Sequence, residues 1–404
     1  MKRWFSVIAV VVLALALVIG VACGGGGGGG TPGVKTVKMG AGLPLSGIYG
    51  TVVGTPTIHA MEVARDMWPE FTVAGQRYAI KAINEDNGWT GAGGVATATK
   101  LIYTDRVKIM HQSGADAAGA AQTICEQAGV IMDMSAAPPN LLGPDKPHTI
   151  QICPNYLMDT VALFKYVSET YPEVKRVAIS FADTAFGHSM GDAAVDAAPY
   201  FDLDVVGTEW VPSGTTEFYP LATRLVEENP DLVLCDVTIL TPMVEMGYKG
   251  KTAYISWAES YGEYIGWENY QGAMIYQPNP YGADLPQEAR DFFAEIKARF
   301  DEEPSQGPYF TSITHSVWPE VMEAAGTVDD VDKLLETIHG GVSVDTWLGP
   351  MHFGGEELIG INAFLLWPAQ IHEIRDHDYV LVYEMTPDEV YQLACDVYGD
   401  KYKK

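Results

Sequence analysis

Residues 108–142, KIMHQSGADAAGAAQTICEQAGVIMDMSAAPPNLL, decide the fold class. The run predicts a strand over 107–111, a small-residue turn at 112–114 and a helix over 117–127. A second strand over 130–134 and a turn at 135–139 follow. Two short apolar strands around an Ala-rich helix make a βαβ unit, which requires parallel strands. The first turn runs into a helix N-terminus, whose unpaired N–H groups and dipole favour an anion. The second lies beyond a strand's carboxyl end, where open α/β sheets bind ligands. Read alone, the stretch fits a polar ligand site and an ordinary βαβ unit, with Gly and Ala serving close packing, equally well.

The chain has 404 residues, room for two domains, and its 47% hydrophobic and 19% charged residues are those of a globular protein. A net charge of −27 argues against nucleic acid and leaves no basic patch for anionic lipid. Residues 1–22 carry Lys2 and Arg3 and then an apolar run over 7–21, the pattern of an export signal. Cys23 follows, and then glycines from Gly24 to Gly30. This combination resembles a bacterial lipoprotein signal, with Gly20 where the usual pattern has Leu. It implies lipidation at Cys23 and a glycine tether over 23–33; the seven glycines alone span about 15 Å as a coil. Export permits disulfides, but Cys125, Cys153, Cys235 and Cys395 allow several pairings and none sits in a C-x-x-C.

Strand and helix patterns alternate through the chain. Strands are predicted at 34–41, 78–84 and 148–153 around the opening stretch, and helices at 57–68 and 96–103. After a helix at 157–171 a second series begins: strands at 176–182, 205–210, 232–237, 253–256 and 274–276, with helices at 219–229 and 242–248. Helices at 287–301, 308–325 and 331–339 follow, then strands at 349–353, 365–372 and 379–384. The repeated alternation predicts an α/β fold of two doubly wound lobes rather than one long sheet.

Gly187-His188-Ser189-Met190-Gly191 matches the nucleophile elbow of α/β-hydrolases, with Asp236 and His315 or His352 in the right chain order. An elbow needs its Ser directly between strand and helix. Here the strand ends near Ala182 and Asp183–Phe186 intervene, so the motif argues weakly for an enzyme. His372, Asp376, His377 and Asp378 read as a solvated hairpin rather than a metal site. No metal, nucleotide or other cofactor motif is present. Aromatic residues at loop positions stand out instead: Tyr49, Trp89, Phe186, Trp257 and Tyr261. Trp257-Ala258-Glu259-Ser260-Tyr261 follows a predicted strand, so Glu259 is placed to meet an ammonium between two rings.

Several segments in order carry a family resemblance: VKMGAGLPLSGIYG (37–50), GQRYAIKAINED (75–86), ATATKLIYTDRVKIM (96–110) and GVIMDMSAAPP (129–139). RVAISFADTAFG (176–187), EFYPLATRLVEENPDLVLCDV (217–237) and LGPMHFGG (348–355) continue it. From Val37 to about Tyr383 the chain resembles the type I periplasmic solute-binding proteins of ABC transporters, in the branched-chain amino acid (Leu/Ile/Val) branch. The resemblance implies two lobes joined by three crossovers, near Cys153, Tyr276 and Asp345, that close on a ligand. Lobe 1 is then 34–153 plus 277–345, and lobe 2 is 154–276 plus 346–404. It also implies that Ser113, Gly114, Ala136 and Pro138 hold a ligand's carboxylate and that Glu259 meets its ammonium. Tyr49, Phe186 and Thr238 complete the contacts. At 138 the family often has a hydroxyl residue, whereas proline offers neither O–H nor N–H. A pocket so altered suits amides and aromatic or organic acids as well as amino acids.

The function implied is an extracytoplasmic, lipid-anchored binding protein that delivers a small solute to an ABC permease, with no cofactor, metal or nucleic acid. Two alternatives stay open: a secreted hydrolase using Ser189, and a ligand-sensing partner of a membrane receptor.

Overall fold

The computed structural model describes residues 33–135, 139–212, 214–254, 262, 266–278, 285–302 and 313–403. The chain builds lobe 1 first, with β1 (Val34–Leu43), α1 (Thr55–Met67), β2 (Phe71–Val73), β3 (Gln76–Asp86) and α2 (Gly91–Lys100). The opening unit follows as β4 (Ile109–Gln112), α3 (Ala115–Ala128) and β5 (Ile131–Met134), and then β6 (Thr149–Gln151). β3, β1, β4, β5 and β6 lie side by side in parallel. Both faces of β4 and β5 are buried, as parallel strands covered by helices require. Met110 and Met132 face a core with α3, whereas Ile109 and Ile131 face the core on the opposite side. Glycine is needed where α2 meets α3: a Cβ on Gly94 would stand 2.2 Å from the Ala117 carbonyl oxygen.

Lobe 2 contains α4 (Tyr156–Thr170), β7 (Arg176–Ala182), α5 (Ala185–Ala197), β8 (Asp204–Val211), α6 (Tyr219–Glu227), β9 (Leu232–Cys235), α7 (Val237–Glu245), β10 (Lys251–Tyr254) and β11 (Met274–Ile275). The chain returns to lobe 1 as α8 (Gln287–Phe300), α9 (Thr314–Ala325), α10 (Val331–His339), β12 (Ser343–Thr346), β13 (Gly349–Gly354) and β14 (Phe364–Leu366). It ends in lobe 2 as β15 (Ala369–Arg375), β16 (Asp378–Met385) and α11 (Pro387–Tyr398). The sheets run β12-β13-β14-β6-β5-β4-β1-β3-β2 and β16-β15-β11-β10-β9-β7-β8. The expected pair of doubly wound αβ lobes is therefore the fold observed.

The third crossover differs from expectation. β13 and β14 extend the lobe 1 sheet, with Phe364 beside Gln151 of β6. Residues 346–366 thus belong to lobe 1, and the chain crosses at Trp367–Pro368, not near Asp345. The single strand expected over 365–372 is two strands in two sheets. Pro368 has no N–H for a ladder and interrupts the run, and beyond it β15 pairs antiparallel with β11 and β16. β12 escaped the sequence reading because Ser343, Asp345 and Thr346 make it polar.

The crossovers are tied to each other. The Trp367 indole N–H donates to the Ile152 carbonyl at 2.6 Å, joining the third crossing to the first. Gln277 donates from the second crossing to the carboxyl of Asp159 on α4 at 3.0 Å. Burial raises the Asp159 pKa well above the ordinary carboxylate value. One apolar core continues from α3 and β5 into α4, β7 and α11, so packing as well as chain crossings joins the lobes. Among the described residues no helix is long and apolar enough to cross a membrane.

Candidate functional site

Three loops meet at the carboxyl edge of the lobe 1 sheet, after β1, β3 and β4. β1 and β3 pair in register to their ends, Leu43 beside Asp86. The Asp86 carboxylate accepts N–H groups from Leu45 at 2.8 Å and Gly88 at 2.9 Å, fastening the β1 loop to the β3 loop. Its limited burial opposes ionisation, but hydrogen bonds from Ser46 and these N–H groups outweigh that and hold the pKa below its ordinary value. Asn87, next in the chain, donates its amide hydrogens to the carbonyls of Gly42 and Ser113.

The turn before α3 keeps the predicted form. Ser113 is buried, its N–H donates to the Gly42 carbonyl at 2.9 Å, and its Oγ lies 3.4 Å from the Ser135 hydroxyl. Gly114 has φ +89°, which favours glycine, and Trp89 covers it: ring atoms lie 3.3–3.5 Å from where a Cβ would stand. Tyr49 stacks on Trp89 at 5.0 Å between centroids and 15° between planes. Four predicted residues, Tyr49, Trp89, Ser113 and Gly114, are thus brought together in lobe 1. Asp116 lies in the first turn of α3, so the helix dipole already meets a carboxylate of its own.

On lobe 2, Phe186 stands in the first turn of α5 and meets Tyr156 of α4 edge-on at 5.7 Å. Its ring is thereby drawn toward the first crossover. Thr238 stands in the first turn of α7, beyond the end of β9. Ala136, Pro138, Trp257, Glu259 and Cys23 lie outside the described residues. A cavity of about 480 Å³ lies between α3 and α5; Ala115, Pro139 and Ala185, each adjacent in sequence to a predicted site residue, line it. Its volume falls within the range of small-molecule sites, but Tyr49, Trp89, Ser113, Gly114, Phe186 and Thr238 are not among its lining residues, so it lies beside the stack rather than under it.

Asp236 is a group the sequence reading weighed only as a hydrolase partner. It precedes α7 at the carboxyl end of β9 and accepts the Ala182 N–H. Burial nevertheless raises its pKa to about 6. An acid directly after the apolar run LVLC was the available signal.

The elbow motif has a packing explanation. A Cβ on Gly187 would lie 2.0 Å from the Ala182 carbonyl oxygen, and one on Gly191 would lie 2.4 Å from the Trp210 ring. Both glycines let α5 sit against β7 and β8. Ser189 is buried in the second turn of α5 and donates to the Ala185 carbonyl at 2.6 Å. His188 faces Asp183 and Asp192, and His352 faces Asp388. The strand–Ser–helix elbow is not formed.

Residues 36–366 match the model of a family described as periplasmic binding proteins. The chain belongs to this family. Solved structures similar to this periplasmic binding protein include an ABC transporter substrate-binding protein from Sphaerobacter thermophilus, at 20% identity and TM-score 0.73, covering 87% of this chain and 98% of that one. A leucine-binding protein, LivK, from Thermotoga maritima matches at 17% identity and TM-score 0.71, covering 87% and 99%. A solute-binding protein from Rhodopseudomonas palustris, in complex with 3,4-dihydroxybenzoic acid, matches at 18% identity and TM-score 0.73, covering 87% and 98%. No curated protein matches the chain by sequence. Periplasmic binding proteins are extracytoplasmic and bind small solutes for ABC transporters, and the described lobes of this one carry that fold.

Proposed function

We propose that this periplasmic binding protein captures a small solute with a flat apolar body and a polar or acidic head, and delivers it to an ABC importer. It is not an enzyme, and it acts from the membrane surface on a lipid at Cys23, tethered by its polyglycine. The observation that carries this reading is the Tyr49–Trp89 stack standing on Gly114 at the start of α3. The head group meets the Ser113–Gly114 turn, with Ala136 and Pro138 beside it. Phe186, Thr238, Trp257 and Glu259 approach from lobe 2, where Glu259 favours ligands bearing an amine. Pro138 and Asp116 both weaken the site for anions. The leucine and dihydroxybenzoate named for the two neighbours bracket the ligand chemistry, and the stacked rings favour the aromatic end.

A thermal-shift and calorimetric screen of L-leucine, benzoate, 4-hydroxybenzoate, 3,4-dihydroxybenzoate and benzamide tests this. Binding at 100 times Kd stabilises by about 2.7 kcal/mol, which a melting curve resolves. At least one ring-bearing compound is expected to raise the melting temperature. No response from any member of the panel would overturn the reading. Glu259→Gln should weaken amine-bearing ligands and spare acids, and equal losses would remove Glu259 from the site.

A further inference from the structure

One buried side chain joins the three loops on which the aromatic stack depends. Asn87 is 1% exposed. Its Nδ2 donates to the Gly42 carbonyl at 3.0 Å, at the end of β1, and to the Ser113 carbonyl at 2.8 Å, in the turn before α3. Its Oδ1 accepts the Trp89 N–H at 3.0 Å, and its own N–H donates to the Leu43 carbonyl at 2.8 Å. These contacts fix the amide orientation. A flipped group would set oxygen against two carbonyls and N–H against N–H.

The Trp89 end of this arrangement is strained. Gly88 has φ +54° and Trp89 φ +59°, two successive left-handed residues. Glycine adopts that conformation freely, whereas a bulky aromatic residue does so only at an energetic cost. The Asn87–Trp89 hydrogen bond opposes that cost. In this conformation the indole lies against Gly114 and carries Tyr49, a residue 47% exposed. Relaxing Trp89 to negative φ would swing the indole off Gly114 and leave Tyr49 without its support.

We propose that Asn87 is the positioning residue for ligand selectivity: it holds Trp89 left-handed over Gly114, so that Tyr49 and Trp89 form a pre-built ledge for a flat ring. This rests on the reading that the two rings wall the solute site, but the geometry of the ledge is testable without any ligand. A hydrophobic or ionised residue at 87 would lose the ledge while the αβ framework stays in place.

The test uses the full mature chain with Asn87→Ala, Asn87→Asp and Trp89→Phe. Near-UV circular dichroism reads the stack directly, and Trp89→Phe defines its band by difference. Asn87→Ala should lose that same band with far-UV signal unchanged; retaining it would overturn the proposal. Asn87→Asp keeps an acceptor for Trp89 but sets a carboxylate against two carbonyls, so its band should be absent near pH 8. It should return near pH 5, because burial against the Gly42 and Ser113 carbonyls favours the neutral carboxyl and raises its pKa above the ordinary value, and the protonated carboxyl supplies one donor. An Asn87→Asp spectrum equal to wild type at both pH values would also overturn the proposal, and this arm decides the matter if Asn87→Ala does not fold. With 4-hydroxybenzoate and L-leucine as probes, Asn87→Ala should weaken the ring compound about tenfold and leucine by less, since an aromatic contact contributes up to about 1.5 kcal/mol. Equal losses for the two probes would refute the selectivity role. Failure of both probes to bind wild type would instead refute the proposed function, leaving the spectroscopic arm to judge Asn87.

Discussion

Asp236→Asn should remove a specific pH dependence of stability. Asp236 is partly buried between β7 and α7, and burial raises its pKa from 3.8 to about 6, although the Ala182 N–H bonds its carboxyl. The folded protein therefore holds this proton more tightly than the unfolded chain does between about pH 4 and 6. Its stabilising contribution is complete below about pH 4 and is lost as pH rises through about 6. A gap of roughly two pH units at 1.36 kcal/mol each is worth about 3 kcal/mol, an upper figure because water reaches part of the group. The asparagine amide stays neutral and keeps an oxygen for the Ala182 N–H. Relative to wild type, the variant should therefore gain up to about 2 kcal/mol between pH 4.5 and 7.5, because part of the loss is complete by pH 4.5. Urea unfolding of both proteins at pH 4.5, 6.0 and 7.5 measures the difference directly and cancels the other acids. Parallel stability profiles across that range would refute the assignment of a raised pKa to Asp236.

Gly114→Ala places a Cβ at φ +89°, 3.3 Å from the Trp89 ring, and should cost about 1–3 kcal/mol in thermal unfolding; an unchanged melting temperature would show the turn to be relaxed. Trp367→Phe leaves the Ile152 carbonyl without its indole donor at the joined crossovers, and denaturant unfolding should register a loss of about 1–2 kcal/mol. Cys125, Cys153 and Cys235 are buried, with burial raising the Cys125 thiol to about 12 and the other two well above their ordinary value. A thiol reagent should leave these three unmodified in the native protein and reach them after unfolding, whereas the half-buried Cys395 should react first. Rapid native labelling of any of the three would contradict the packed cores around them.

Local pattern carried most of the architecture. Short apolar strands alternating with amphipathic helices admit few arrangements other than doubly wound sheets, and β4–α3–β5 formed within about two residues of the expected bounds. The Ser113–Gly114 turn was legible for the same reason, since a helix start and its unpaired N–H groups are properties of a few consecutive residues. The GHSMG motif shows where local matching stops. Its glycines answer to the Ala182 carbonyl and the Trp210 ring, partners that only folding brings near.

Non-local choices needed the tertiary structure. Residues 365–372 read as one strand, and nothing in their own composition says that the two sides of Pro368 join different sheets. That choice depends on which edges β6 and β11 leave open. Asn87 reaches carbonyls 45 and 26 residues away in sequence, contacts that its own neighbours do not specify. Asp236 acquires its raised pKa from burial around α7 rather than from its sequence neighbours. The sequence by itself determined the two lobes and the turn that opens α3, because those follow from backbone periodicity and helix ends. The crossing point at Trp367–Pro368 and the clasp under Trp89 were decided by the tertiary structure, because hydrogen-bond partners distant in sequence exist only once the strands are aligned.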